Sequence, residues 1–211
     1  MEAKWDFRKL VKSSASVLGF GYNAPSSFSQ SQPMPESTQY RQAKMADIET
    51  IATLEKRFNQ DELSARERTR GFEGQGFSVS ELNPLVSAGL VWVAEISGEI
   101  MGYLILGHWD KLNHSPLCQA LYQRLSQGHC TLKTDWRNTL HYGPVWVHPK
   151  YRGKGVFDGL YSAARENNDA PWLALIAEDN EASLRAHSRH ARMQTLDFVT
   201  LCGRDFYLLQ G

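Results

Sequence analysis

The sequence has no excess of charge of either sign: its 23 lysines and arginines are matched by 23 aspartates and glutamates. No field of one sign is left to collect nucleic acid or an anionic membrane surface, so neither is expected as a partner. Cysteine is scarce. Cys118, Cys130 and Cys202 are an odd number, far apart and without CxxC spacing, which argues against a disulfide framework or a structural zinc site and fits a reducing cytoplasm. Long apolar runs are missing too. Nothing approaches the roughly 20 apolar residues of a membrane span, and "MEAKWDFRKLVKSSASVLGF" mixes Glu2 and Asp6 with its lysines instead of building an apolar core. The expectation is a soluble protein with a small or locally recognised partner.

At 211 residues the chain suits one well-packed domain with a tail. Residues 21 to 39, "GYNAPSSFSQSQPMPESTQ", are mostly Ser, Gln and Pro with little to bury, which predicts a flexible linker. Residues 1–39 are therefore read as an extension and residues 40–211 as the domain. Within it, strand and helix periods alternate. "YRQAK" predicts a short strand, and Asp47 a helix start with Ile48, Ile51, Ala52 and Phe58 on one face. "LVWVAEIS" and "IMGYLILG" predict a hairpin turning at Gly98-Glu99. "HYGPVWV" predicts a strand, Val156 to Asn167 a helix, and "WLALIA" a buried central strand. Asn180 caps a helix through His190, and two strands around Gly203 close the chain. The sum is an α/β fold, a mixed central sheet with helices on both faces.

The stretch "VWVHPKYRGKGVFDGL" runs from strand through a glycine loop into a helix. Such a junction aims several N–H groups, reinforced by the helix dipole, at one point, and phosphate is the natural guest. Gly153 and Gly155 allow close main-chain approach, and Arg152 and Lys154 add charge. The alternative is an ordinary surface turn with solvated cations. Asp158 stands where a dinucleotide GxGxxG needs glycine, and Gly155 follows Lys154 where a Walker loop needs Ser or Thr. Pro144 cannot donate to a ladder, so the strand feeding the loop is expected to be bulged, leaving main-chain groups of Val145 and Val147 for an extended ligand. A phosphate at the helix start and an arm along the strand describe coenzyme A.

On these residues the chain resembles the GCN5-related N-acetyltransferase (GNAT) superfamily over roughly residues 40 to 210. That family's loop reads Gln or Arg, two residues, Gly, one residue, Gly or Ala. Arg152, Gly155 and Phe157 hold the three places, and Phe157 departs from the pattern, its ring expected to turn toward the core with Leu160, Tyr161 and Ala164. The resemblance implies an acyl-CoA N-acyltransferase fold, acetyl-CoA as cosubstrate and no metal. It places the pantetheine arm on the main chain of Val145, Trp146 and Val147, and the diphosphate on Arg152, Gly153, Lys154, Gly155, Val156 and Phe157. A second signature gives Asn180, a helix cap that in the family also meets the cofactor arm, and His187 where a proton-donating Tyr is usual. Ala191 and Arg192 replace its Gly-Phe pair.

Acyl transfer to an amine needs one group to remove a proton and another to supply one to sulfur. The resemblance puts His187 in the second role, with the alternative of a surface histidine. Being only about a quarter protonated at pH 7 when unperturbed, it would give a rate that declines with rising pH. His141, six residues before Val147, resembles the family's base, the alternative being a water chain; Glu95 and Asp110 are further candidates. His187 and His190 at i, i+3 have no carboxylate or cysteine close by, so a metal is not expected. The insertion between Leu106 and His141 is long for a link between strands, with a helix starting at Ser115-Pro116 whose apolar face is Leu117, Ala120, Leu121 and Leu125. Its Trp109, Tyr122 and Trp136, with Tyr142, either line an acceptor pocket or pack the insertion. Glu55, Glu62 and Glu73 would suit a cationic amine. The expected activity is acetyl transfer to a primary amine of a small molecule, peptide or protein in the cytoplasm, with a homodimer left open. The alternatives are a non-catalytic acyl-CoA sensor or adaptor, and a docking role for residues 1–39.

Overall fold

Alternation along the strands and breaks in it decide where this fold can hold a ligand. The computed structural model describes residues 38–62, 76–112, 115–128, 132 and 135–211. Residues 1–37, Glu73 and Cys130 lie outside them, as do the side chains of Phe58 and Glu62. The described residues fall in one unit, Ser31–Gly211. Its strands are β1 (Gln39–Gln42), β2 (Val91–Ile96), β3 (Glu99–Gly107), β4 (Leu140–Val147), β5 (Trp172–Ala177), β6 (Gln194–Leu201) and β7 (Arg204–Gln210). They form one seven-stranded sheet in the order β1-β2-β3-β4-β5-β7-β6. Every pair is antiparallel except β4 with β5, so the sheet is mixed.

The helices are α1 (Ile48–Glu62), α2 (Val79–Ser87), α3 (Pro116–Ser126), α4 (Val156–Glu166) and α5 (Glu181–Arg189). Neighbours on β3 show that both faces are covered. A Cβ on Gly102 would lie 3.1 Å from Leu160 and 3.3 Å from Val156, both on α4, whereas the next residue, Tyr103, donates its hydroxyl to Glu55 on α1. Successive strand side chains leave on opposite faces, so α4 covers one face and α1 the other. The core between them is apolar and nearly sealed, with Leu104, Ile105, Leu106, Leu160, Trp172 and Leu173 fully buried. No described helix is long and apolar enough to cross a membrane.

Several local expectations shift by a residue or two. Ser97 and Gly98 form the β2–β3 turn with φ of 52° and 81°, so Glu99 belongs to β3; a two-residue turn with both φ positive matches the twist of its strands. Asp47 closes a 3-10 turn, Met45–Asp47, ahead of α1, and accepts the Lys44 N–H at 2.6 Å and Arg41 at 2.7 Å. Helix α2 was not anticipated. Its signal is Ser78-x-x-Glu81, a capping box in which Glu81 accepts the Ser78 N–H at 2.7 Å. Ser115 accepts from the Cys118 N–H at 3.0 Å, which starts α3 as its Ser-Pro pair implies.

Candidate active site

The break in the sheet comes from Gly143 and Pro144. Along β3 and β4 the register passes from Leu104 opposite Val145 to Leu106 opposite Tyr142. Two residues of β4 therefore stand against Ile105 alone, a bulge; Gly143 has φ 116°, a conformation that favours glycine. On its other side β4 pairs with β5 only at Leu140–Trp172 and His141–Leu173. Beyond His141 the two strands part. The His148 N–H bonds Met101 O at 2.8 Å, so by alternation Trp146 faces β3, while the main-chain groups of Val145 and Val147 face the opening. Arg152 Nε reaches the Val147 carbonyl at 3.0 Å, tying the loop to the end of the strand.

That loop turns through two left-handed glycines, Gly153 at φ 70° and Gly155 at φ 81°, the latter the N-cap of α4. A Cβ on Gly153 would meet nothing within 4 Å, so glycine is there for its dihedral and the space above it is open. The first α4 hydrogen bond is Gly159 N–H to Gly155 O at 3.0 Å. The amides before it have no partner within the helix, and the positive end of the dipole lies with them. Lys154 and Lys150 both lie over the Tyr151 ring, 5.8 and 5.6 Å from its centroid, which keeps two cations beside the loop.

Phe157, the departure from the loop pattern, turns inward as its apolar neighbours imply. Its ring lies 5.0 Å from that of His187 and 6.3 Å from that of Tyr161. Phe157 and His187, two of the positions at which the chain leaves the family's pattern, are therefore in contact. Burial lowers the His187 pKa, so the ring is neutral at pH 7. Its Nδ1 lies 2.7 Å from the Ser183 carbonyl, which can only accept; Nδ1 therefore carries the proton. Nε2 is left as an acceptor, and the Tyr142 hydroxyl donates to it at 3.1 Å. Asn180 accepts the Ser183 N–H at 3.1 Å and caps α5.

His141 and His187 are not brought together. His141 pairs with Gly107 and Tyr142 with Leu106, so their side chains leave β4 on opposite faces. His141 is buried against Trp109, centroids 5.7 Å apart. Trp109 also meets Trp136 edge-on at 6.4 Å and donates to Thr139 at 3.0 Å, and Tyr122 stands edge-on to Trp136 at 5.2 Å. These aromatics pack the insertion, whereas Tyr142 belongs to the His187 side. Glu95 is held by Arg41 at 2.6 Å, Asp110 is exposed beside Lys111 at 3.4 Å, and Glu55 is buried on α1 with Tyr103. His190 pairs with Asp158 at 3.0 Å rather than with His187. Among the described residues no group of three or more His, Cys, Asp or Glu is placed to hold a metal.

No curated protein sequence matches the chain. Solved structures do match in fold. An acetyltransferase of the GNAT family from Streptococcus agalactiae aligns with a TM-score of 0.57 at 16% identity, covering 83% of this chain and 95% of that one. The yncA protein of Salmonella typhimurium, solved with its cofactor acetyl-CoA, gives 0.56 at 19% identity, covering 83% and 94%. A ribosomal-protein-alanine N-acetyltransferase from Brucella melitensis gives 0.52 at 20%, covering 82% and 98%. At these identities the likeness is one of fold. The sequence profile of the acetyltransferase (GNAT) family matches residues 51–191, which takes in the bulged strand, the glycine loop and α5, and the chain belongs to that family.

Proposed function

We propose that this protein moves an acetyl group from acetyl-CoA to a primary amine of a small molecule or peptide. One observation carries the reading: β4 leaves β5 at a bulge just before a left-handed glycine loop. Acetyl-CoA supplies the acetyl group as a thioester. Gly153, Lys154, Gly155, Val156 and Phe157 offer its diphosphate the amides at the start of α4, with Arg152 and Lys154 adding charge. Val145 and Val147 present main-chain donors and acceptors to the pantetheine arm, with Trp146 between them turned toward β3. Asn180 uses its side-chain oxygen as the α5 cap and stands where β5 gives way to that helix. The site's own groups must take a proton from the ammonium form of the acceptor before attack, and His141 and Glu55, both buried on the α1 face, are the residues proposed for that side.

A second reading, an acyl-CoA-binding domain without chemistry, is favoured by the state of His187, whose only proton faces Ser183. Calorimetry with acetyl-CoA, followed by thiol release over a panel of primary amines, separates the two. Binding with release supports transfer, and binding without release from any amine supports the binder. Absence of binding removes both.

A further inference from the structure

Tyr142 is the first residue of β4 beyond its last pair with β5 and the last before the bulge. Its ring stacks on Trp172 at 5.4 Å with 14° between planes and meets Tyr161 edge-on at 6.1 Å. A phenylalanine would fill the same stack. The hydroxyl is the feature that packing does not call for, and it points to His187 Nε2. A buried phenol joined to a buried imidazole, at the inner end of an opening in the sheet, is the kind of polar pair that marks a working site.

The two groups differ in what they can release. The one N–H of His187 is bound to the Ser183 carbonyl, four residues back on α5, and turning it toward the opening would break that bond. The Tyr142 O–H can swing about its C–O bond while the oxygen stays in place. The groups facing Tyr142 are His187 from α5 and Tyr161 from α4; β5 contributes Trp172, over whose ring Arg165 lies, 4.3 Å from the indole centroid. His141, next along β4, faces the other way. Burial, and then Tyr161, push the Tyr142 pKa upward, so the phenol keeps its proton through neutral pH.

We infer that Tyr142 gives the departing sulfur its proton and that His187 is a positioning residue that holds the phenol oxygen. This rests on the acetyl-transfer reading above. With the diphosphate at Gly153 to Gly155 and the arm laid back along β4 from Val147 to Val145, the thioester end arrives at the bulge, beside Tyr142. The amine nitrogen forms a bond to the acetyl carbon, the C–S bond breaks, and its electron pair goes to sulfur. The Tyr142 proton follows it, giving the thiol. The proton that nitrogen sheds on becoming an amide returns through water to the phenolate, so the site is restored and no further reactant is needed.

The test uses the full chain with Tyr142→Phe, His187→Gln and His187→Phe. Affinity for acetyl-CoA is read by calorimetry, and turnover by thiol release with n-butylamine and with water alone. Tyr142→Phe is expected to lower turnover by about 100-fold or more while acetyl-CoA affinity stays within about threefold. His187→Gln, whose amide oxygen can accept from the phenol where Nε2 did, is expected to stay within about tenfold of wild type, and His187→Phe to fall with Tyr142→Phe. Wild-type turnover is expected to hold through pH 8. Should Tyr142→Phe keep wild-type turnover, or should the rate decline through a pKa below 7 with His187→Gln as inactive as His187→Phe, the assignment is overturned. Where the wild type releases no thiol, coenzyme A is compared with desulfo-coenzyme A at about pH 9. A preference of about threefold or more for the sulfur that vanishes in Tyr142→Phe supports the inference, and equal preference in both proteins overturns it. Failure of the wild type to bind acetyl-CoA overturns the acetyl-transfer reading together with this one, whereas normal binding with an indifferent Tyr142→Phe overturns this one alone.

Discussion

Acidification should destabilise this protein in part through His187, by an amount that can be bounded. A free imidazole titrates near 6.5. In the folded protein burial lowers that value, opposed in part by the bond to the Ser183 carbonyl. Above about pH 6.5 the ring is neutral in both states, and His187 adds no pH dependence. Below it the unfolded ring takes up a proton that the folded ring resists, so the unfolded state binds more protons and stability falls as pH falls. The window runs from about 6.5 down to the folded value. If the buried ring stays neutral to about pH 5.5, the unfolded ring is by then about ten-elevenths protonated, and the loss reaches a ceiling of about 1.4 kcal/mol. In a domain of this size that is about 3–6 °C in Tm. Melting followed by circular dichroism at pH 7.5 and 5.5 measures it, with His187→Gln as the reference, because glutamine does not titrate while every other ionisable group is common to both proteins. The wild type should lose more Tm than the variant across the two pH values. Equal losses would mean that the ring is not held neutral, and the assignment of Nε2 as the acceptor from Tyr142 would go with it.

Three substitutions probe the loop and the helix behind it. Gly155→Val forces a β-branched residue to φ 81°, costing about 1–2 kcal/mol of stability, and covers the amides it exposes; acetyl-CoA affinity should drop at least about tenfold by calorimetry, and an unchanged affinity would remove the cradle. At Gly159 a Cβ would overlap the Tyr40 ring, so Gly159→Ala should cost about 1–3 kcal/mol in urea unfolding, with much of it recovered in a double variant with Tyr40→Ala; additive losses would contradict the contact. Phe157→Ala should cost about 1–2 kcal/mol, below the range for a fully buried ring, with little change in acetyl-CoA affinity because the ring lies inward against His187 and Tyr161, and a large loss of affinity would show that the ring supports the ligand.

Local chemistry wrote much of this fold openly. Pro144 in a strand context announced the bulge, Ser115-Pro116 and Asn180 announced helix starts, and Gly153 and Gly155 announced a glycine loop ahead of a helix. Each is a property of one to four neighbouring residues, so one sequence suffices to read it. Helix α2 was also announced, by Ser78 and Glu81, but Pro84 within it and its polar approach obscured the apolar face of Leu82, Leu85 and Val86. The site is another matter. Tyr142 and His187 are 45 residues apart, and neither spacing nor period links them. Tyr142 reads in sequence as one more aromatic near the insertion, and only the register with Leu106 shows that it turns from Trp109 toward α5. The protonation of His187 was equally hidden, because it depends on burial and on a carbonyl one helical turn away.

A parallel pair that ends after two residues leaves the main chain of Val145 and Val147 without strand partners on that side, and a buried polar group without one costs about 1–3 kcal/mol. The chain offsets this locally. Arg152 covers the Val147 carbonyl, and Phe157 and Tyr142 pack against His187. The amides are not covered in the same way, so water or a ligand must meet them. Hydrogen exchange can see the difference. The Val145 and Val147 amides should exchange faster than that of Trp146, which faces β3, and acetyl-CoA should slow the first two while leaving the third unchanged. Equal protection of all three in the free protein would mean that this edge is closed, and a closed edge cannot receive the arm.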